Sequence, residues 1–350
     1  MIENNKKINI AIIGCGYVSS IHFDSILNIS EFNLVGVCDI NENKAKIASK
    51  MLNVPYFLDY KEIPLNKIDI VSICTPNYLH YSIARYFLEQ GKNVIIEKPI
   101  TLNIKEADDL INFSKEKKLN LFCIKQVRFN PPIRAAKAAI TENNLGRMLS
   151  CNLTIHWNRP QEYFDRDEWH GKLNKDGGTL INQGAHYIDA IQWLMGPVKS
   201  VFGVCAKLNH NIEVEDHASA ILIFDNGAIG TIEFNINTYP RNLECSMTFQ
   251  GEKGTIKIGG LAVNELEIWE VENMPRPVLP TGFSPKVYAN GLYKGSCPNH
   301  IYVYENIRDV MLGKSNDIAT NGEEAKKTIE IITAIYKSSK EGRIINLPFE

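Results

Sequence analysis

The stretch Gly14-Cys15-Gly16-Tyr17-Val18-Ser19, set directly behind the apolar run at residues 8–13, decides the fold of this chain. The run reads as a strand, and residues 17–28 carry helical spacing. Glycines at such a junction serve two ends. The first permits the tight turn, and the second leaves the backbone bare so that a pyrophosphate can approach the helix N-terminus. The third position of the pattern is Ser19, small enough for close packing of helix on strand.

Working outward, strand-like runs at 34–38, 68–74, 93–96 and 120–123 alternate with helix-like stretches at 42–52, 79–90 and 104–117. Strands separated by helices of this length form βαβ units around a parallel sheet. Asp39 ends the second strand, about twenty residues beyond the glycines, where an acid pairs with ribose hydroxyls. A carboxylate there repels a 2′-phosphate and no Arg occupies 40–43, so NAD is favoured over NADP. Gly14, Gly16, Tyr17, Val18 and Asp39 are the expected cofactor contacts. Thr75-Pro76-Asn77-Tyr78-Leu79-His80 and Glu97-Lys98-Pro99-Ile100 lie at the carboxyl ends of two further strands, where open α/β sheets bind ligands. Thr75, Asn77, His80, Glu97 and Lys98 therefore join the cofactor set.

At Phe129-Asn130-Pro131-Pro132 the rhythm changes. A helix-like stretch at 133–140 leads into longer alternating strands at 147–157, 198–207, 217–224, 228–237, 244–250 and 255–258. Asp225-Asn226-Gly227 is a hairpin signal, because Asn-Gly tolerates positive φ. One amphipathic helix is expected at 180–195 and two more at 300–312 and 323–340. The expected architecture is α/β plus α+β. An N-terminal Rossmann parallel sheet (1–124) is followed by a substrate-binding and oligomerisation domain (125–350) on a largely antiparallel, open-faced sheet. The Pro- and Gly-rich stretch 274–295 reads as a long surface loop, a lid or an intersubunit arm.

A length of 350 residues suits two domains, and 44% hydrophobic residues suffice for their cores. Lys+Arg 38 against Asp+Glu 40 leaves a net charge of -2, which gives no reason to expect nucleic acid, a membrane surface or a polyanion as partner. No apolar stretch approaches the ~20 residues of a membrane span. The polar start Met1-Ile2-Glu3-Asn4-Asn5-Lys6-Lys7 is no signal peptide, and eight scattered cysteines without a C-x-x-C pair suggest reduced thiols. A soluble cytoplasmic protein is expected.

With T-P-N-x-x-H and E-K-P in place, Gly177-Gly178-Thr179-Leu180-Ile181-Asn182-Gln183-Gly184-Ala185-His186 supplies a G-G-x-x-x-[DN]-x-x-x-H helix in the second region. With these four motifs in order, essentially the whole chain resembles the glucose–fructose oxidoreductase / inositol dehydrogenase (Gfo/Idh/MocA) family. The resemblance implies oxidation of an alcohol by NAD, with the E-K-P lysine and the second-domain histidine at the reacting hydroxyl. Here these are Lys98 and His186. Histidine titrates near neutrality and suits proton removal, while a lysine cation favours the deprotonated oxygen. Asn182 lies one helical turn before His186 and stands where many relatives have Asp. An amide cannot act as a base, which leaves His186 as the preferred one, with Asn182 beside it in the catalytic set. His22, His156, His170, His210, His217 and His300 read as structural, and no metal set is expected.

Two further stretches narrow the branch: Trp157-Asn158-Arg159-Pro160-Gln161-Glu162-Tyr163-Phe164-Asp165 and Lys125-Gln126-Val127-Arg128-Phe129-Asn130. With Asp176-Gly177-Gly178 and Asn182-Gln183, they resemble the branch that oxidises UDP-N-acetylglucosaminuronic acid (UDP-GlcNAcA) at C3 for 2,3-diamino sugars of surface polysaccharide. Val127 replaces an Asn frequent there, and His170-Gly171-Lys172-Leu173 replaces R-G-T-W. The implied substrate set is Arg128 and Arg159 for oxyanions, with Gln161, Tyr163, Asn182, Gln183 and His186. The resemblance also implies NADH recycling by a 2-oxoacid and a homodimer or homotetramer. An inositol or simple-sugar dehydrogenase of the same family and a non-catalytic cofactor-sensing regulator stay open as alternatives.

Overall fold

Runs such as Ile10-Ala11-Ile12-Ile13, Ile70-Val71-Ser72-Ile73 and Val94-Ile95-Ile96 put apolar side chains on both faces of a strand, which is stable only where helices cover both faces. The computed structural model describes residues 7–280, 284–285, 287–288, 293–295 and 297–349, and these runs form its first sheet. The elements are β1 (Ile8–Ile13), α1 (Ser19–Leu27), β2 (Phe32–Cys38), α2 (Glu42–Leu52), β3 (Tyr56–Phe57), β4 (Ile70–Ile73), α3 (His80–Glu89), β5 (Asn93–Ile96), α4 (Ile104–Lys117) and β6 (Leu121–Cys123). The strand order β3-β2-β1-β4-β5-β6 is parallel throughout, as a Rossmann sheet requires. The chain runs outward from β1 to β3 and then returns to β4, so the carboxyl ends of β1 and β4 flank the point where strand order reverses. Asn41 and Asn103 accept the backbone N–H of Lys44 and Glu106, capping α2 and α4.

The rest of the chain supplies α5 (Pro131–Thr141), β7 (Met148–His156), α6 (Gln161–Asp165), a π-helical turn (Leu180–Gly184), α7 (Ala185–Met195), β8 (Val198–Ala206), β9 (His217–Phe224), β10 (Ile229–Asn235), β11 (Glu244–Gly251), β12 (Gly254–Gly259), β13 (Glu265–Val271), β14 (Val287–Tyr288), β15 (Tyr293–Lys294), α8 (His300–Met311), α9 (Gly322–Glu341) and β16 (Ile345–Asn346). Eight of these strands form a sheet in the order β13-β12-β11-β7-β10-β9-β8-β16. Within it β7 and β10 run parallel and the remaining pairs antiparallel. Strict alternation on β9 and β10 turns Ala218, Ala220, Leu222, Phe224, Ile232 and Phe234 into a core shared with α5, α7 and α9. The opposite face carries exposed Phe202, Val204, Ile221, Ile223 and Ile229. In the 225–228 turn Gly227 alone takes positive φ (82°), so Asn226 does not use the conformational freedom expected of it.

Three sequence expectations change. Residues 180–195 are not one amphipathic helix: a π turn precedes α7, and α7 buries every residue except Trp193, because core lies around most of its circumference. The chain divides into Met1–Lys125 with Asn299–Lys326, and Gln126–Pro298 with Lys327–Glu350, so the domain expected at 125–350 is interrupted. The reason is packing between segments distant in the chain. Tyr304 of α8 stacks edge-on against Phe32 and bonds His22 and Ser72, while Cys123 N–H donates to Thr320 (2.8 Å) and covers the free edge of β6. Part of the expected 274–295 loop (281–283, 286 and 289–292) lies outside the described residues, and within the rest β14 and β15 pair.

Gly178 precedes the π turn with φ +133°, and a Cβ there would run into the Tyr336 hydroxyl, which donates to Glu215 (2.8 Å). Gly178→Ala is expected to cost about 2–3 kcal/mol from backbone strain and this clash. In urea unfolding the midpoint should fall; an unchanged midpoint would show that the turn relaxes without cost.

Candidate active site

In the first unit the functional turns are built from backbone. Gly14 has φ +97° and donates to the Cys38 carbonyl (2.7 Å), and a Cβ on it would lie 2.5 Å from the Cys74 oxygen. Only glycine fits. A Cβ built on Gly16 meets nothing within 4 Å, so the space over that backbone is open, as the approach of a pyrophosphate requires. Tyr17 is exposed, Val18 half-buried, and Ser19 closes the turn by donating to the Gly16 carbonyl (2.6 Å). Asp39 accepts the backbone N–H of Cys15 and of Asn41 (both 2.8 Å), tying the glycine turn to the end of β2. The turn, the helix start and the acid thus fit a dinucleotide without a 2′-phosphate. Burial pushes the Cys15 thiol up to about 12, helped by the Asp39 charge, so it stays protonated.

The two motif turns behind β4 and β5 are held from below. His80 is fully buried and bridges the carbonyls of Thr75 (2.9 Å) and Pro99 (2.7 Å). Burial lowers its pKa, and the two carbonyls partly offset that. Asn77 is buried at the start of the 3₁₀ turn Asn77–Leu79. Glu97 is buried as well. One of its oxygens meets His22 Nε2 (2.9 Å) and His300 Nε2 (3.2 Å), and the other accepts the Lys98 backbone N–H (3.0 Å). Burial alone would raise its pKa, but the two imidazoles outweigh it and hold the carboxyl well below the usual range. His22 is held well above its ordinary value: burial opposes the charge, and neighbouring Cys74, Tyr304 and Glu97 prevail. His22, Glu97 and His300 have the mutual spacing of metal ligands, yet an imidazole N–H donating to a carboxylate gives the same distances. His80 and Glu97, expected among the cofactor contacts, are thus engaged in holding the turns that carry Thr75 and Lys98.

In the second unit the predicted residues fall into two networks. Arg159 is buried. Its guanidinium donates to Gln183 Oε1 (2.9 and 3.2 Å), the Asn158 carbonyl (2.7 Å) and Asn242 Oδ1 (3.3 Å), and it lies over the Trp157 ring (4.6 Å). Gln183 in turn donates to the Tyr163 hydroxyl (2.8 Å). Three residues assigned to sugar recognition are therefore one hydrogen-bonded unit. Gln161 is paired with Asp165 (2.9 Å) and with the Asn211 backbone N–H (2.9 Å).

The second network surrounds α7. Asn182 sits within the π turn and donates to Asp176 (2.6 Å), whose other oxygen accepts the Gly171 N–H (2.8 Å). The wider π turn replaces the regular helical turn expected between Asn182 and His186. His186 Nε2 meets the Gln126 amide nitrogen (3.0 Å). Arg128, read as an oxyanion donor, instead makes a buried two-pronged pair with Asp189 on α7 (2.7 and 2.8 Å), which Thr328 supports (3.1 Å). Asp176 and Gln126 were missed as site residues, although both stand inside the motif stretches. Lys98 belongs to the first unit, Asn182 and His186 to the second.

Models of two families match the chain. One, an oxidoreductase family with an NAD-binding Rossmann fold, covers residues 8–124, and the other, the GFO/IDH/MocA C-terminal domain, covers 133–257. Among solved structures, the WlbA dehydrogenase of Bordetella pertussis is 32% identical with a TM-score of 0.88, over 98% of this chain and 100% of that one. The WlbA dehydrogenase of Chromobacterium violaceum is 33% identical with a TM-score of 0.89, over the whole of both chains. Each was solved in complex with NADH and UDP-GlcNAcA. D-apiose dehydrogenase of Paraburkholderia graminis is 21% identical over 98% of this chain and 90% of its own. Other curated relatives align over shorter parts of their length, between 54% and 61% for three of them.

One carboxylate beneath the Arg159 network makes a pH prediction. Asp216 is buried and accepts the backbone N–H groups of Leu208, Asn209 and His210 (2.8–2.9 Å), while His210 bridges it to the Arg159 carbonyl (2.6 Å). Burial would raise its pKa, but those donors outweigh it and hold the carboxyl at about 2 against 3.8. Because the folded value lies below the unfolded one, the resulting stability, about 2 kcal/mol, is present above about pH 4 and is lost as pH falls towards 2. Asp216→Asn should therefore lower stability at pH 7 by about that amount and flatten the acid limb. Urea midpoints from pH 7 to pH 2.5 check it, and parallel curves for both proteins would contradict it.

Proposed function

Because the chain belongs to the GFO/IDH/MocA family of oxidoreductases, we propose that it oxidises the C3 hydroxyl of UDP-N-acetylglucosaminuronic acid to the 3-keto sugar with NAD, in the supply of diamino sugars for surface polysaccharide. One observation carries the reading. Arg159, Gln183 and Tyr163, singled out for a sugar acid, form a single network in a chain that matches, end to end, two dehydrogenases solved with NADH and UDP-GlcNAcA.

When bound, NAD supplies the hydride acceptor. The Gly14–Ser19 turn would receive its pyrophosphate, and Asp39 would take the ribose hydroxyls and refuse a 2′-phosphate. In this reading His186 would remove the hydroxyl proton, and Lys98 would be the cation that favours the deprotonated oxygen. Asn182, paired with Asp176, contributes a neutral amide. Planar guanidinium and amide donors suit the carboxylate and hydroxyl groups of the substrate. The exposed apolar row Phe202, Val204, Ile221, Ile223 and Ile229 on the open sheet face would seat a second copy, giving the homodimer or homotetramer of the reading. No described helix is long and apolar enough to cross a membrane. The cytoplasm, where NAD and nucleotide sugars are made, is the location the reading calls for.

Purified protein incubated with NAD, UDP-GlcNAcA and 2-oxoglutarate should yield the 3-keto sugar by mass spectrometry. Lys98→Met and His186→Asn should each lower kcat by about 10²–10⁴-fold while NAD still binds. Turnover of inositol or a simple sugar in place of UDP-GlcNAcA would transfer the reading to the wider family. NAD binding without turnover of any of these substrates would instead make the chain a cofactor-sensing regulator.

A further inference from the structure

Gln126 opens the second unit in the 3₁₀ turn Gln126–Phe129, and its amide nitrogen lies 3.0 Å from His186 Nε2. Both side chains are buried, Gln126 at 2% and His186 at 6% exposure. The turn cannot drift, because Arg128, two residues on, is locked to Asp189 on the helix that carries His186. The pair Gln126–His186 is therefore set by the same contact that fixes the turn on α7.

An amide nitrogen only donates, so the ring nitrogen facing it must hold a lone pair, which places the proton of a neutral ring on Nδ1. If the amide plane turns over, its carbonyl accepts from Nε2–H, and the neutral ring then keeps its lone pair on Nδ1. In the first arrangement the lone pair of the ring is spent on the amide; only in the second, with the carbonyl accepting from Nε2–H, does the ring keep one on Nδ1 for an incoming proton. A carboxylate at this position could only accept, and would hold the imidazolium.

We propose that Gln126 is a positioning residue for His186. It selects the tautomer of the ring and, being neutral at either orientation, adds no charge of its own as the ring gains and loses a proton. The inference rests on His186 serving as the base of the proposed dehydrogenase. Other charged groups on the elements around α7 are paired. Asp189 is neutralised by Arg128, Asp176 is bonded to Asn182, and Lys137 on α5 donates to the Trp193 carbonyl (2.8 Å). The Glu215 carboxylate receives the Tyr336 and Thr179 hydroxyls and the Leu180 N–H at the start of the π turn. On β7, His156 pairs with Glu233. Lys125 precedes Gln126 in the chain.

The test is nitrogen NMR on the full-length protein labelled with ¹⁵N-histidine, with His186→Asn used to assign the ring. Gln126→Glu, which keeps the shape, should raise the His186 titration midpoint by about one to three pH units. Gln126→Met should convert the single neutral tautomer into a mixture. In steady-state turnover the acid limb of kcat for Gln126→Glu should move up by the same interval, with activity lost at neutral pH and recovered at alkaline pH. A merely structural glutamine would change the melting temperature and leave midpoint and tautomer alone, and that result overturns the proposal. The NMR readout needs no substrate. A chain that fails to turn over UDP-GlcNAcA but shows the shifted midpoint therefore defeats the functional reading and leaves the positioning role in place.

Discussion

A guanidinium and a carboxylate removed from water together persist only while each completes the other, and Arg128 and Asp189 do so through two short parallel hydrogen bonds. Neither could be removed alone without stranding a buried charge. The pair fastens the first turn of the second unit to the middle of α7, and Thr328 on α9 adds a third element through the same carboxylate. Once these are joined, α7 can be enclosed by apolar neighbours on nearly every side. The sequence placed Arg128 among ligand contacts because an arginine next to a motif reads as an anion donor. Its partner lies 61 residues away and only folding brings the two together.

The first unit follows the same rule with a different cation. Glu97 would be intolerable in its surroundings without imidazoles, and His22 from α1 and His300 from α8 supply them. The second Glu97 oxygen is left to hold the Lys98 backbone, so the lysine stands on a buried, charge-balanced base. His80 adds a clamp between neighbouring turns, and Asp39 another between the glycine turn and β2. Side chains that look like ligand contacts in the motif are in large part the scaffold that aims the backbone. Recurrence within a motif marks what the turn needs, and a turn needs anchors as much as it needs ligands.

What was legible in the sequence was whatever depends on local pattern. The parallel sheet follows from apolar runs between helices, the glycine turn from its spacing, and the second sheet from period-two alternation such as that on β9. The two-residue strands β3 and β16 are too short to leave a period. The π turn at 180–184 was read as helix because one inserted residue barely disturbs helical spacing over sixteen positions. The return of 299–326 to the first unit was invisible for another reason. It depends on Tyr304 and His300 finding Phe32, His22 and Glu97, contacts more than two hundred residues distant in the chain. At the site, the residue types are readable and their pairings are not: helical spacing sets Asn182 against His186, yet Asn182 donates to Asp176.

The near-neutral total charge of -2 gains a structural meaning from these pairings. A protein with so little net field cannot gather anionic ligands by long-range attraction, so any attraction must come from groups whose surroundings leave their charge effective. The two buried arginines of the second unit differ in this respect. Arg128 faces a carboxylate at short range, and its charge is cancelled where it stands. The contacts of Arg159 with Gln183, Asn158 and Asn242 are to amide and carbonyl oxygens, which satisfy guanidinium hydrogen bonds and fix its plane without contributing an opposite charge. These amides set where the guanidinium points. For the nucleotide-sugar acid of the proposed reaction, Arg159 would be the oriented guanidinium of the second unit, while Arg128 holds α7 in place.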